Sequence, residues 1–264
     1  MSEEIKNYED LEEKFKKQFK EDITKDEIVF LEHRKFYPNP VISLAPKYCL
    51  VALEPALKSS VGKEEGKKRF VDQLFMQSMN NLIIQYCAYK YLCSESFDYQ
   101  ITDVCKVPLT TPERTTIRKK IYSKWENLFS DEIKILNNPK LIAIGYTTEK
   151  YLINFTNYSN DAIPHYSSNN NSLFNELLEK HGSNANDLKQ SNNKEYIDLY
   201  KEIKEFAQNK LVPQINSNSK LLNRQVADIN EELFNVIINK KVAQSHKVRY
   251  FVYKKIFTEI AEKK

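Results

Sequence analysis

The chain has 264 residues, 41% hydrophobic and 29% charged, with 40 lysines and arginines against 36 aspartates and glutamates and a net charge of +4. That balance suits one elaborated globular domain with its own core, and it excludes a disordered chain or a helical membrane protein, since no apolar run reaches the roughly 20 residues of a span. The mild basicity permits nucleic acid as a partner without requiring it.

The opening stretch, MSEEIKNYEDLEEKF, is acidic and amphipathic, the opposite of a signal peptide, so a cytoplasmic location is expected. Residues 8–20 place Leu11, Phe15 and Phe19 at helical spacing. Residues 26–46, rich in aromatics and proline, are expected to pack a second helix and an extended segment onto the core. The run 49–53 then reads as a fully buried strand that stops at Glu54-Pro55, because proline has no N–H for the ladder. Gly62–Lys68 lacks the GK[ST] ending of a phosphate-binding loop and reads as a charged loop. With only 4 glycines in the chain, most glycine-loop nucleotide motifs are excluded.

The periodicity predicts a long helix over 69–92, a break at 94–98, and a second strand over 99–107 closed by Pro108. A helix over 110–136 follows, with Pro112 in its first turn. A third strand over 141–144 ends at Gly145, and Thr147 or Thr148 is expected to cap a short helix over 149–152. Ala162-Ile163 is the best candidate for a fourth strand. Residues 169–171 and 184–193 read as polar loops. Residues 194–264 read as two or three helices, with Tyr196, Leu199, Tyr200, Ile203 and Phe206 on one face and a basic amphipathic stretch at the end. Alternating strands and helices imply a mainly parallel four-stranded sheet covered on both faces. The organisation is a single elaborated α/β domain: an N-terminal segment over 1–47, a core over 48–193 and a C-terminal helical extension over 194–264. Cys49, Cys87, Cys93 and Cys105 form no CxxC pair and read as buried, reduced thiols, not as zinc or iron–sulfur ligands.

Four features fall at or just beyond the carboxyl ends of successive strands, where ligands bind in open α/β sheets. They are Glu54-Pro55, Asp103 with Lys106-Val107-Pro108, Gly145-Tyr146-Thr147, and Pro164-His165-Tyr166-Ser167. Tyr99-Gln-Ile-Thr-Asp-Val-Cys-Lys106 resembles the "Y-x-I-T-N-x-x-K" strand of the uracil-DNA glycosylase superfamily. Pro139–Leu152, PKLIAIGYTTEKYL, is similar to that family's "PK-hydrophobic-strand-LG-x-T-A-x-x-L" segment. Ala52-Leu-Glu-Pro-Ala56 resembles its "G-x-x-P-[GAY]" loop, Gly66–Val71 its "G-x-P-F-V" segment, and His165-Tyr-Ser167 its "H-P-S" motif with the proline replaced. The resemblance covers roughly residues 48–180.

The resemblance implies a three-layer α/β/α sandwich that flips a base out of DNA and hydrolyses its N-glycosidic bond, with no cofactor or metal. It implies that Glu54 orients water or stabilises the positive sugar. His165 would donate to the oxyanion growing on the base O2, and Phe70 would stack on the flipped base. Asp103 stands where most uracil-reading members have Asn. An ionised carboxylate cannot donate to uracil O4 but can accept from the N4 amine of cytosine, so a cytosine-type base is expected, restricted by a feature such as a bulky 5-substituent of the kind found in modified phage cytosines. A conventional uracil-DNA glycosylase and a catalytically silent DNA-binding member are the alternatives. Ser59, Ser60, Thr147, Tyr166 and Ser167 are expected to face DNA, with DNA as partner, no membrane, and a monomeric chain.

Overall fold

The computed structural model describes residues 3–25, 39–54, 78–107, 109, 118–165, 171–183, 193–222 and 244–263. Four parallel strands, β1 (Tyr48–Ala52), β2 (Tyr99–Asp103), β3 (Lys140–Ile144) and β4 (Tyr158–Ile163), form one sheet in the order β2-β1-β3-β4. The chain steps from β1 to β2 in one direction, then crosses back over β1 to reach β3 and β4. Crossovers of one hand must change face when they change direction, so helices cover both faces.

Alternation along the strands sorts the core accordingly. Tyr48, Leu50, Ala52, Tyr99, Ile101, Ile142, Ile144 and Ile163 point to one face. That layer is built from α2 (Met79–Cys87) with a π-helical extension (Ala88–Leu92), together with α5 (Asn171–Lys180), α6 (Asn193–Phe206), α7 (Val212–Leu221) and α8 (Gln244–Glu262). Cys49, Val51, Leu141 and Ala143 point to the other face, against α1 (Glu3–Lys25), α3 (Arg118–Ile135) and α4 (Tyr146–Leu152). The three-layer α/β/α sandwich with a parallel four-stranded sheet is therefore the observed architecture. All four cysteines are free and buried, and burial raises each thiol above its ordinary range, Cys93 to about 12.

The terminal segments supply much of both helical layers. In α1, Leu11, Phe15 and Phe19 are buried, and the Phe15 ring stacks on Trp125 at 5.7 Å. The Trp125 indole N–H donates to the buried Asp22 carboxylate at 2.8 Å, which fixes the far end of the helix. In α8 the stripe Val248, Val252, Tyr253, Phe257 and Ile260 is buried, so the basic C-terminal stretch is a packed helix of the core. Residues 39–46 form a bent, non-helical segment packed on the core. The Gln100 side chain holds it, accepting from Ile42 N at 2.8 Å and donating to Pro40 O at 2.7 Å.

Several boundaries differ from the sequence reading. The helix expected from residue 69 cannot run unbroken to 92, because Ser78 is extended and caps α2, its hydroxyl accepting from Asn81 N. Strand β2 ends at Asp103 rather than 107, since the chain turns there to bring Lys106 back onto the Asp103 carbonyl. Helix α4 starts at Tyr146, three residues early, with Gly145 at its cap position. Neither threonine caps it: Thr148 lies inside the first turn, its hydroxyl donating to Ile144 O at 2.8 Å. The fourth strand extends back to Tyr158 through a bulge, where Leu141 pairs with Tyr158 but Ile142 with Asp161, and Asn160 takes a positive φ of 56°. Helix α5 was not anticipated. Residues 69–77, 110–117 and 184–192, and the second helix expected within 26–38, lie outside the described residues.

A buried polar cluster locks the turn after β2. Lys106 directs its three ammonium protons to Thr102 Oγ1 (2.5 Å), the Asp103 carbonyl (2.5 Å) and Glu132 Oε2 (2.8 Å). Thr102 Oγ1 in turn donates to Glu132 Oε1 at 2.9 Å and accepts from Asn39 Nδ2 at 2.8 Å. Lys106 and Glu132 are almost wholly inaccessible. Removing one partner of such a pair strands a buried charge, whereas removing both does not. Lys106→Met is expected to lower stability by about 3–5 kcal/mol, and Lys106→Met/Glu132→Met to recover much of that loss, as urea unfolding will report.

Candidate active site at the carboxyl edge of the sheet

Chain direction reverses between β1 and β3, and the carboxyl ends of strands at such a reversal are the usual ligand position in open α/β sheets. Glu54 stands two residues beyond β1 and is 8% exposed. Asp103 is the last residue of β2, 1% exposed, and is the Cα partner of Ala52. The backbone pairing continues past both strands, with Val104 N donating to Ala52 O and Cys105 N to Leu53 O, each at 2.9 Å. Glu54 and Asp103 are thus carried on two turns tied to each other. By strand parity Asp103 shares the face of Ala52, on the side of α2 and α8.

On the other side of β1, Gly145 follows β3 and His165 follows β4. Gly145 N donates to Ile163 O at 2.8 Å. Gly145 has φ of 89°, and a Cβ added to it would lie 3.2 Å from His165 Cβ. Glycine is needed here twice, for the backbone angle and for the approach of the histidine. Helix α8 also fixes this strand end, because the buried Tyr253 hydroxyl donates to Pro164 O at 3.1 Å. The replacement Gly145→Ala is expected to cost about 1–3 kcal/mol and to displace His165. A crystal structure and a thermal melt of the variant will measure both.

In sheet order the row therefore reads Asp103, Glu54, Gly145, His165. The structure brings these residues to one edge although they are spread over more than a hundred positions of sequence. Thr147 is exposed on the first turn of α4, facing solvent at the same edge. Phe70, Ser59, Ser60, Tyr166 and Ser167 lie outside the described residues. The sequence reading gave Tyr146 no role of its own within Gly145-Tyr146-Thr147 and missed Tyr253. Tyr146, directly after Gly145, is 68% exposed, with Lys150 Nζ 4.4 Å from its ring centroid, an aromatic face and a cation side by side. Tyr253 lies on a helix some ninety residues from the strand end it holds. Tyr146 is signalled only by a bulky aromatic where the chain leaves a buried strand, and no local pattern signals Tyr253.

The site's thiol is unsuited to nucleophilic attack. Burial above all, and then the Glu54, Asp22 and Asp103 carboxylates, push the Cys105 thiol well above its ordinary range, so it stays protonated. The chemistry available at the edge is that of two carboxylates and an imidazole. Among the described residues, no group of three or more His, Cys, Asp or Glu side chains is placed to hold a metal ion, and no helix is long and apolar enough to cross a membrane. Compared with protein families, with curated proteins and with solved structures, the chain matches none.

Proposed function

We propose that this chain is a monofunctional DNA glycosylase of the uracil-DNA glycosylase superfamily that removes an altered, cytosine-type base. The observation that carries the reading is the row of Asp103, Glu54 and His165 along one sheet edge, at the point where the chain reverses direction. Motifs that resemble the superfamily in sequence also lie in the order its chemistry needs.

In this reading the target base rotates out of the stack and docks at this edge. The Asp103 carboxylate accepts from its N4 amine. As the C1′–N bond breaks, its electron pair leaves with the base, and His165 donates a hydrogen bond to the O2 that gains charge. Glu54 holds a water molecule against C1′ and offsets the positive charge of the sugar. Oxygen of that water bonds to C1′, its proton passes to Glu54 and then to solvent, and the departing base is protonated. An abasic site and a free base result. Tyr146 and Thr147 would meet the DNA beside the site, the first by stacking and the second through a phosphate oxygen. Phe70 would stack on the base, as the sequence resemblance implies.

The test is release of free base from oligonucleotides that each carry one lesion: uracil, cytosine, or a 5-substituted cytosine. Release of the substituted cytosine alone supports the reading. Release of uracil alone contradicts the role given to Asp103 and leaves a conventional uracil-DNA glycosylase. If DNA binds but no base is released from any strand, the chain is a binding protein.

A further inference from the structure

A second concave site lies in the α2, α6 and α8 layer. Helix α2 carries the chain from the carboxyl edge back towards the amino end of β2, so its π-helical end is remote from the row of Glu54 and His165. There Ala88–Leu92, α6 and α8 enclose a cleft of about 450 Å³. Small-molecule sites span roughly 300–1,000 Å³, and π segments are frequent at functional sites.

The floor of the cleft is rich in hydrogen-bond donors. Lys90 Nζ donates to Tyr86 Oη at 2.7 Å and to Glu202 Oε2 at 2.9 Å, and the Tyr86 hydroxyl donates to the same carboxylate oxygen. The Tyr91 and Tyr250 hydroxyls share one bond of 2.5 Å. Lys90, which lines the cleft, therefore keeps one proton for a further acceptor. At the rim, Lys254 and Lys255 are exposed, and neither has a carboxylate within ion-pair distance among the described residues. They lie over rings instead, Lys254 5.4 Å from the Tyr91 centroid and Lys255 5.8 Å from that of Phe251. Glu202, held below the usual carboxylate range by the Tyr86 hydroxyl and Lys90, is the only acid lining the cleft among the described residues. Three cations thus face one carboxylate, which is already engaged. Leu199 and Phe251 form an apolar part of the remaining wall, and Tyr196, whose ring centroid lies 4.5 Å from Lys247 Nζ, completes it.

We propose that this cleft binds a nucleoside monophosphate. The phosphate sits on Lys254 and Lys255 and takes the remaining Lys90 proton, while the planar base lies against Phe251 and Leu199. Phosphate chemistry accounts for the donors and the excess charge, and the apolar wall accounts for an aromatic ring. The site does not depend on the glycosylase reading.

Isothermal titration of the full chain at low salt, with a nucleoside monophosphate, the same nucleoside and inorganic phosphate as separate probes, tests it. The monophosphate is expected to bind at least about tenfold more tightly than either of its parts. Lys254→Gln/Lys255→Gln, both at exposed positions, should weaken it by at least about tenfold with an unchanged melting temperature and unchanged base release. Phe251→Leu should bring the monophosphate down to the affinity of inorganic phosphate. No binding to the folded chain, binding unaltered in the double lysine variant, or inorganic phosphate binding as tightly as the nucleotide would each overturn the proposal.

Discussion

Glu54→Gln is expected to lower the rate of base release by roughly 10²–10⁴-fold, the usual contribution of a positioned acid–base group, while DNA affinity stays the same. The substitution keeps the length and shape of a side chain that is 8% exposed at the end of a buried strand. It removes the two things the proposed reaction takes from this position, a proton acceptor for water and a negative charge facing the sugar. The turn itself is held by backbone bonds from Val104 and Cys105 to Ala52 and Leu53, none of which involves the carboxylate. Single-turnover rates and DNA-binding titrations on the same preparation separate the two effects. A rate close to that of the original chain would remove Glu54 from the reaction.

Asp103→Asn is expected to move preference from the cytosine-type base to uracil by about 10²-fold or more, since a misplaced buried hydrogen bond costs roughly 1–3 kcal/mol and the substitution affects both bases in opposite senses. The carboxylate only accepts and so suits an N4 amine, whereas the amide can donate to uracil O4 and accept from N3–H. Lys106 binds the backbone carbonyl of Asp103, and its other partners are Thr102 and Glu132, so the cluster that sets the turn keeps its bonds in the variant. Competition between the two lesions in one reaction gives the ratio directly. An unchanged ratio would mean that Asp103 does not read the base.

The sheet was legible because its strands are buried on both faces and end abruptly: the runs at 49–53 and 141–144 are continuous apolar stretches followed by Glu54-Pro55 and Gly145. The edge strand β4 was legible only at Ala162-Ile163, since it is half exposed and its bulge at Asn160 breaks the alternation. Helix α5 was missed although Phe174, Leu177 and Leu178 stand at helical spacing, because the asparagine-rich stretches on either side read as loops. The helix drawn from residue 69 ran across Ser78, whose hydroxyl caps the start of α2, because the apolar spacing continues through it. At the site, motif order brought out Glu54, Asp103 and His165, each of which follows a strand. Lys106 was visible in the motif, but its partner Glu132 lies a helix away. Charge pairing across the core leaves no local pattern in sequence.

The intact mass of an oligonucleotide carrying a single 5-substituted cytosine, measured before and after incubation with the chain, tests the central claim most directly. The account predicts that the strand loses the mass of the free base less one water, leaving an abasic site that alkali cleaves, and that the free base appears in solution. A strand of unaltered mass, recovered from a chain that is folded and bound to it, would contradict glycosidic-bond hydrolysis at this edge.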